Sequence, residues 1–109
     1  MRVAVSCYPG YHGTVIRRFK DRGTEDVFNG LDSKAARASC PVALWKVARR
    51  KLDYLDSAVR LDELRAPPGN RLERLKGSRS GQHSIRVNDR FRVCFMWTAE
   101  GPRDVEIVD

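Results

Sequence analysis

NRLERLKGSRSGQHSIRVNDRFRVCF, residues 70–95, is the stretch whose reading decides the fold. Arg71, Arg74, Lys76, Arg79, Arg86, Arg90 and Arg92 stand in it against the acids Glu73 and Asp89. The cations alternate with Leu72, Leu75, Ile85, Val87, Phe91, Val93 and Phe95, the pattern of strands that bury one face. In SIRVN, Ile85 and Val87 point one way and Ser84 and Arg86 the other. In RFRVCF, Phe91, Val93 and Phe95 share a face, and Arg92 points opposite with Cys94. Arg86 and Arg92 can therefore lie side by side on the polar face of neighbouring strands. A sheet with several cations on its open face is suited to holding phosphates. Like charges that close repel, so without an anion the arrangement is expected to destabilise the fold; an Arg92–Glu106 ion pair is the structural alternative.

Working outward, the spacing predicts strands over Arg71–Leu75, Gln82–Val87, Phe91–Trp97 and Asp104–Val108. Lys76-Gly77-Ser78-Arg79-Ser80-Gly81 reads as a flexible basic loop. Asn88-Asp89 and Glu100-Gly101-Pro102 read as tight turns, so the strands should form an antiparallel meander. Upstream, VIRRFK (residues 15–20) has a strand's length and apolar content. A short helix follows, with Thr24 as N-cap, Glu25 and Asp26 in its first turn, and Asn29-Gly30 as its stop. Lys34 to Arg37 is open between a helical turn and a basic loop. The clearest helix starts at Ser39-Cys40-Pro41, with Ser39 or Cys40 as N-cap; Trp45, Ala48, Leu52, Leu55 and Val59 form its apolar stripe. Arg49-Arg50-Lys51 is a solvated helix face or, alternatively, an additional RNA or ribosome contact. Asp62, Glu63 and Leu64 make one more helical turn before Pro67-Pro68-Gly69. Helices first and strands after give an α+β fold, the helix packed on one face of a twisted, mainly antiparallel sheet. Residues 1–14 read as a loose N-terminal extension, with a binding arm using Tyr8 and Tyr11 as the alternative.

A chain of 109 residues allows one small domain, and 41% hydrophobic with 32% charged residues fits a globular protein. The formal net charge of +7 favours an anionic partner without choosing among nucleic acid, acidic protein and membrane surface. Cys7, Cys40 and Cys94 form no CxxC pair, and His12 and His83 are the only histidines. Neither a disulfide framework, a metal site nor another cofactor is expected. His83 reads as a surface or edge residue. No apolar run is long enough for a signal peptide or membrane span, so a reducing cytoplasm is the expected compartment.

Lys76 ends the first predicted strand and can reach over the same face. Placed among arginines and partly desolvated, its ammonium should lose its proton more easily, which suits acid–base work. RNA carries its own nucleophile, the 2′-hydroxyl beside each phosphate. Arginines suit stabilisation of the crowded phosphorane-like charge, because they stay charged and bind phosphate bidentately. A passive RNA-binding face fits the same residues.

RLERLKGSRSGQHSIRVNDRFRVCFMW, followed by DVEIVD and preceded by VALWKVARRKLDYLDSA, resembles the HigB-type branch of the RelE/ParE toxin superfamily over roughly residues 15–109. The resemblance implies a RelE-like toxin of a type II toxin–antitoxin system that cleaves mRNA on the ribosome, in the 30S A site, and stops translation. It assigns acid–base work to Lys76 and the scissile phosphate to Arg86 and Arg92; the other cations of the stretch, Arg71, Arg74, Arg79 and Arg90, are expected from its charge as further RNA contacts. It also implies a HigA-like helix-turn-helix antitoxin, a toxin–antitoxin hetero-oligomer, and operator DNA reached through the antitoxin. Many relatives carry a histidine three residues before the lysine. Here Glu73 stands there, either as a substitute proton acceptor or as a strand carboxylate neutralising nearby arginines. Relatives commonly continue past the last strand with a Tyr-His pair, whereas this sequence stops at Asp109; if that stop is genuine, attenuated chemistry is expected. Two other readings stay open: a ParE-like gyrase inhibitor, which has no need of the lysine–arginine cluster, and a non-catalytic RNA- or ribosome-binding module.

Overall fold

The computed structural model describes residues 15–109. The sequence reading of residues 1–14 lies outside them. Strands β1 (Glu73–Arg74), β2 (His83–Arg86), β3 (Arg92–Thr98) and β4 (Gly101–Val108) form one antiparallel sheet in chain order. Helices α1 (Arg22–Asn29), α2 (Lys34–Ser39) and α3 (Trp45–Ser57) accompany it, making the α+β arrangement expected from the sequence. Ile85 pairs with Val93 and Val93 with Ile107, and these side chains join Phe95, Val105, Leu52 and Leu55 in one core. The period-two reading therefore holds: one face of the sheet is buried against α3, and the other carries the polar residues.

The helix starts lie elsewhere than predicted. Asp21, not Thr24, caps α1, its Oδ1 accepting from Thr24 N at 2.7 Å. Thr24 is instead fully buried, and its Oγ1 accepts from Ile107 N at 3.0 Å, tying α1 to β4. The predicted stop is present: Gly30 takes φ 75°, a left-handed C-cap that glycine adopts without a Cβ clash. The ambiguous run from Lys34 is helical because Ser33 Oγ accepts from Ala36 N at 3.0 Å. Cys40 ends that helix rather than starting the next. Pro41 then leads into a 3₁₀ turn, Val42–Leu44, and α3 begins at Trp45 without a side-chain cap. Ala48, Leu52 and Leu55 are buried as expected, but Val59 lies beyond the helix end and is exposed; Ala58 closes the stripe.

Lys51 departs from the solvated-face reading. It is buried, and its Nζ donates to Asn70 Oδ1 at 2.6 Å. Two 3₁₀ turns, Leu61–Arg65 and Pro68–Asn70, replace the single predicted helical turn. The strand expected over Arg71–Leu75 shrinks to Glu73–Arg74 because Arg71 takes φ 46°, which breaks the extended run. VIRRFK forms no full strand either. It lies parallel along β4 through a single bridge, Phe19 with Val105, supported by Lys20 N donating to Val105 O at 2.8 Å. Gly101 and Pro102 belong to β4 rather than to a turn, and Thr98 Oγ1 closes the tip by donating to Gly101 O at 2.7 Å.

Candidate functional site

Strand register builds the open face in rows. Glu73 faces Ser84, Ser84 faces Cys94 and Cys94 faces Glu106, so these four side chains cross the sheet on one side. In the next row, Arg86 is directly opposite Arg92, as the alternation in SIRVN and RFRVCF requires. The expected repulsion between them is offset within the chain. Arg92 Nη1 donates to Glu73 Oε1 at 2.6 Å and to Ser84 Oγ at 2.9 Å. Arg86 pairs with Asp89 of the β2–β3 turn.

The alternative Arg92–Glu106 pair does not form, and Glu73 is instead the strand carboxylate that neutralises Arg92. Glu106 takes Arg79 Nη1 at 3.0 Å and Lys20 Nζ at 3.4 Å, while Arg92 reaches the other way, across β2 to β1. Arg79 Nη1 also donates to Gln82 Oε1 at 3.0 Å within the β1–β2 loop, and its contact with Glu106 ties that loop to β4. Cys94 lies buried beneath these charges. Burial is the main cause pushing its thiol up, opposed by the nearby Arg79, Arg92 and Lys20 and reinforced by Glu106. Lys20 escaped sequence reasoning, because only the parallel bridge of the 15–20 segment brings it to this face.

The other nominated residues separate. Lys76 stands just after β1, its carbonyl accepting from Arg79 N at 3.3 Å. Its side chain is exposed, so the partial desolvation anticipated from the sequence is missing in the free protein. Arg74 is in register with His83 and so belongs to the opposite side of the sheet from Glu73. Arg71 is exposed at its left-handed position. Arg90 lies over the Phe91 ring, 5.5 Å from its centroid, and pairs with Asp109 at 2.5 Å rather than with the acids that hold Arg86 and Arg92.

His83 is not the surface histidine expected. It alternates with Ser84 onto the core side, where its half-buried ring stacks on Phe95 with centroids 6.1 Å apart. Its Nδ1 is buried without a hydrogen-bond partner among the described residues. Burial, helped by the charge of Arg74, pushes its pKa down. Among the described residues, no group of His, Cys, Asp and Glu could hold a metal ion, and no helix is long and apolar enough to cross a membrane.

The assembled face thus offers two arginines in register on neighbouring strands, the Arg92 guanidinium held by Glu73 and Ser84 and the Arg86 guanidinium by Asp89, with the cation-flanked Glu106 in the next row. Arginines on neighbouring strands can take the oxygens of one bound phosphate once they turn from those carboxylates. The profile of the RelE-like toxins of the type II toxin–antitoxin system HigB matches residues 17–109. The chain is 42% identical to Toxin HigB-1 of Vibrio cholerae serotype O1 over 79 residues, covering 72% of this chain and 80% of that protein. It is also 39% identical over 57 residues to an uncharacterized protein of Haemophilus influenzae, covering 52% of this chain and 56% of that one.

Proposed function

The chain belongs to the RelE-like HigB toxins of type II toxin–antitoxin systems, and from that premise we propose that it is a ribosome-dependent endoribonuclease that cleaves mRNA and inhibits translation. The observation that carries the proposal is the pairing of Arg86 with Arg92 across β2 and β3 on the open face. In this reading both guanidiniums hold the scissile phosphate and stabilise the charge that builds as the neighbouring 2′-hydroxyl attacks. Lys76, exposed at the entrance of the β1–β2 loop, moves the proton, and it becomes desolvated only when RNA covers it. Glu73 neutralises Arg92 rather than accepting the substrate proton; the 2.6 Å contact supports that role.

A shallow face with exposed cations aligns RNA poorly by itself, so the 30S A site supplies the alignment. A type II toxin has an antitoxin partner. Here we propose a HigA-like helix-turn-helix protein that forms a hetero-oligomer with the toxin and brings it to operator DNA in the cytoplasm. Mapping mRNA 5′ ends after induction tests the proposal: codon-aligned cuts in the wild type that vanish in Lys76→Ala support it. Growth arrest with DNA damage and no cuts would point to gyrase. Neither cuts nor arrest would leave an RNA-binding module.

A further inference from the structure

The acids and bases of the open face differ in exposure. The Glu73 side chain is 56% exposed and Arg92 37%; Asp89 is 91% exposed and Arg86 29%. In each pair the carboxylate is the more exposed partner: Glu73 on the short edge strand β1, Asp89 on the β2–β3 turn. Arg92 keeps a second contact to Ser84 Oγ, so it stays in place if Glu73 leaves. Glu73 is carried by a strand of two residues and Asp89 by a turn, so either can move without disturbing the core. Glu106 is different: only 13% exposed and held by both Arg79 and Lys20, it is a fixed part of the face.

Carboxylate and phosphate make the same bidentate contacts to guanidinium. We propose that Glu73 and Asp89 are built-in phosphate surrogates, which occupy Arg92 and Arg86 until an RNA strand displaces them. The inference rests on the RNA-cleaving reading above and deepens it: the two acids set the affinity and make the face selective. Free RNA must compete with two tethered carboxylates and binds weakly. RNA held against the face by a larger body competes at high effective concentration and displaces them. Exposed ion pairs of this kind hold back affinity by up to about fivefold each.

The test is fluorescence anisotropy with a labelled 2′-O-methyl oligoribonucleotide, which keeps the phosphates and lacks the nucleophile. Glu73→Gln and Asp89→Asn should each tighten binding about two- to fivefold over wild type. Glu100→Gln, which removes an exposed acid at the β3–β4 turn, corrects for net charge. In an Arg92→Ala background, Glu73→Gln should do no more than Glu100→Gln. If Arg92→Ala weakens binding but neither Glu73→Gln nor Asp89→Asn exceeds Glu100→Gln, the surrogate role is overturned and the RNA-binding face stands. If Arg92→Ala leaves binding unchanged, the RNA reading of the face falls, and the surrogate role falls with it.

Discussion

Truncating Asn70 to alanine should be among the most damaging single changes in the molecule. Asn70 is 0% exposed. Its Oδ1 accepts from Lys51 Nζ at 2.6 Å, and its Nδ2 donates to the carbonyls of Leu64 and Ala66, each at 3.1 Å. One amide thereby fixes α3 to the two 3₁₀ turns that deliver the chain into β1. Asn70→Ala leaves a buried ammonium without its acceptor and takes a donor from two carbonyls. An unsatisfied buried group costs about 1–3 kcal/mol and a charged one more, so a total near 3–5 kcal/mol is expected. That is a large share of the roughly 5–15 kcal/mol available to a small domain. Urea denaturation should show a midpoint lowered by roughly 2 M with an unchanged slope. Burial, and secondarily Arg50, already push the Lys51 pKa below its ordinary value. Raising the pH toward 10.5 therefore favours the folded state, because the unfolded chain then holds the extra proton, and part of the loss should be recovered. A cost below about 1 kcal/mol would refute this account of Asn70 as the joint between helix and sheet.

Three further changes test the packing around the site. Gly23→Ala should cost about 2 kcal/mol or more in denaturant titration: a Cβ there would lie 2.0 Å from Ser39 Oγ and 2.4 Å from Ala35 O, so α1 and α2 would have to separate. Thr24→Val removes the acceptor of the buried Ile107 N–H and should cost about 1–3 kcal/mol by the same assay. For His83 the sign runs toward acid: its folded pKa lies below the ordinary value of 6.5, so stability is present above that pH and lost as pH falls through it. Denaturation midpoints between pH 8 and 5 should fall in the wild type and flatten in His83→Leu; identical slopes would count against the buried neutral imidazole.

How much the sequence disclosed depended on the kind of signal. Alternation in SIRVN and RFRVCF is a local property of extended chain, and it predicted the direct Arg86–Arg92 opposition. The same alternation assigned Ser84, Cys94 and Arg92 to the open side, and the apolar stripe of α3 was legible through Ala48, Leu52 and Leu55. Period alone does not say which side chain bonds which across the sheet. The Arg92–Glu106 alternative does not form, whereas Glu73 does act as the strand carboxylate neutralising a nearby arginine; Lys20 was missed. Caps were misread for a related reason. Thr24 and Asp21 both suit an N-cap, and the choice was made by Ile107, whose backbone N–H needs the Thr24 hydroxyl. Lys51 looks solvent-bound in sequence because only tertiary structure brings Asn70 beneath it.

Cleavage of RNA through the 2′-hydroxyl, with Arg86 and Arg92 on the phosphate, is measured directly by single-turnover cleavage of a labelled mRNA on purified, stalled ribosomes, with products resolved by gel. Wild-type protein should cut in the A site, leaving a 5′-hydroxyl on the downstream product, and a single 2′-deoxy substitution at the cut position should abolish the cut. Arg92→Ala should slow the reaction by about 10²–10³, the usual cost of removing one charge-stabilising donor. Uncut mRNA with the folded wild-type protein, or equal rates for wild type and Arg92→Ala, would contradict that chemistry.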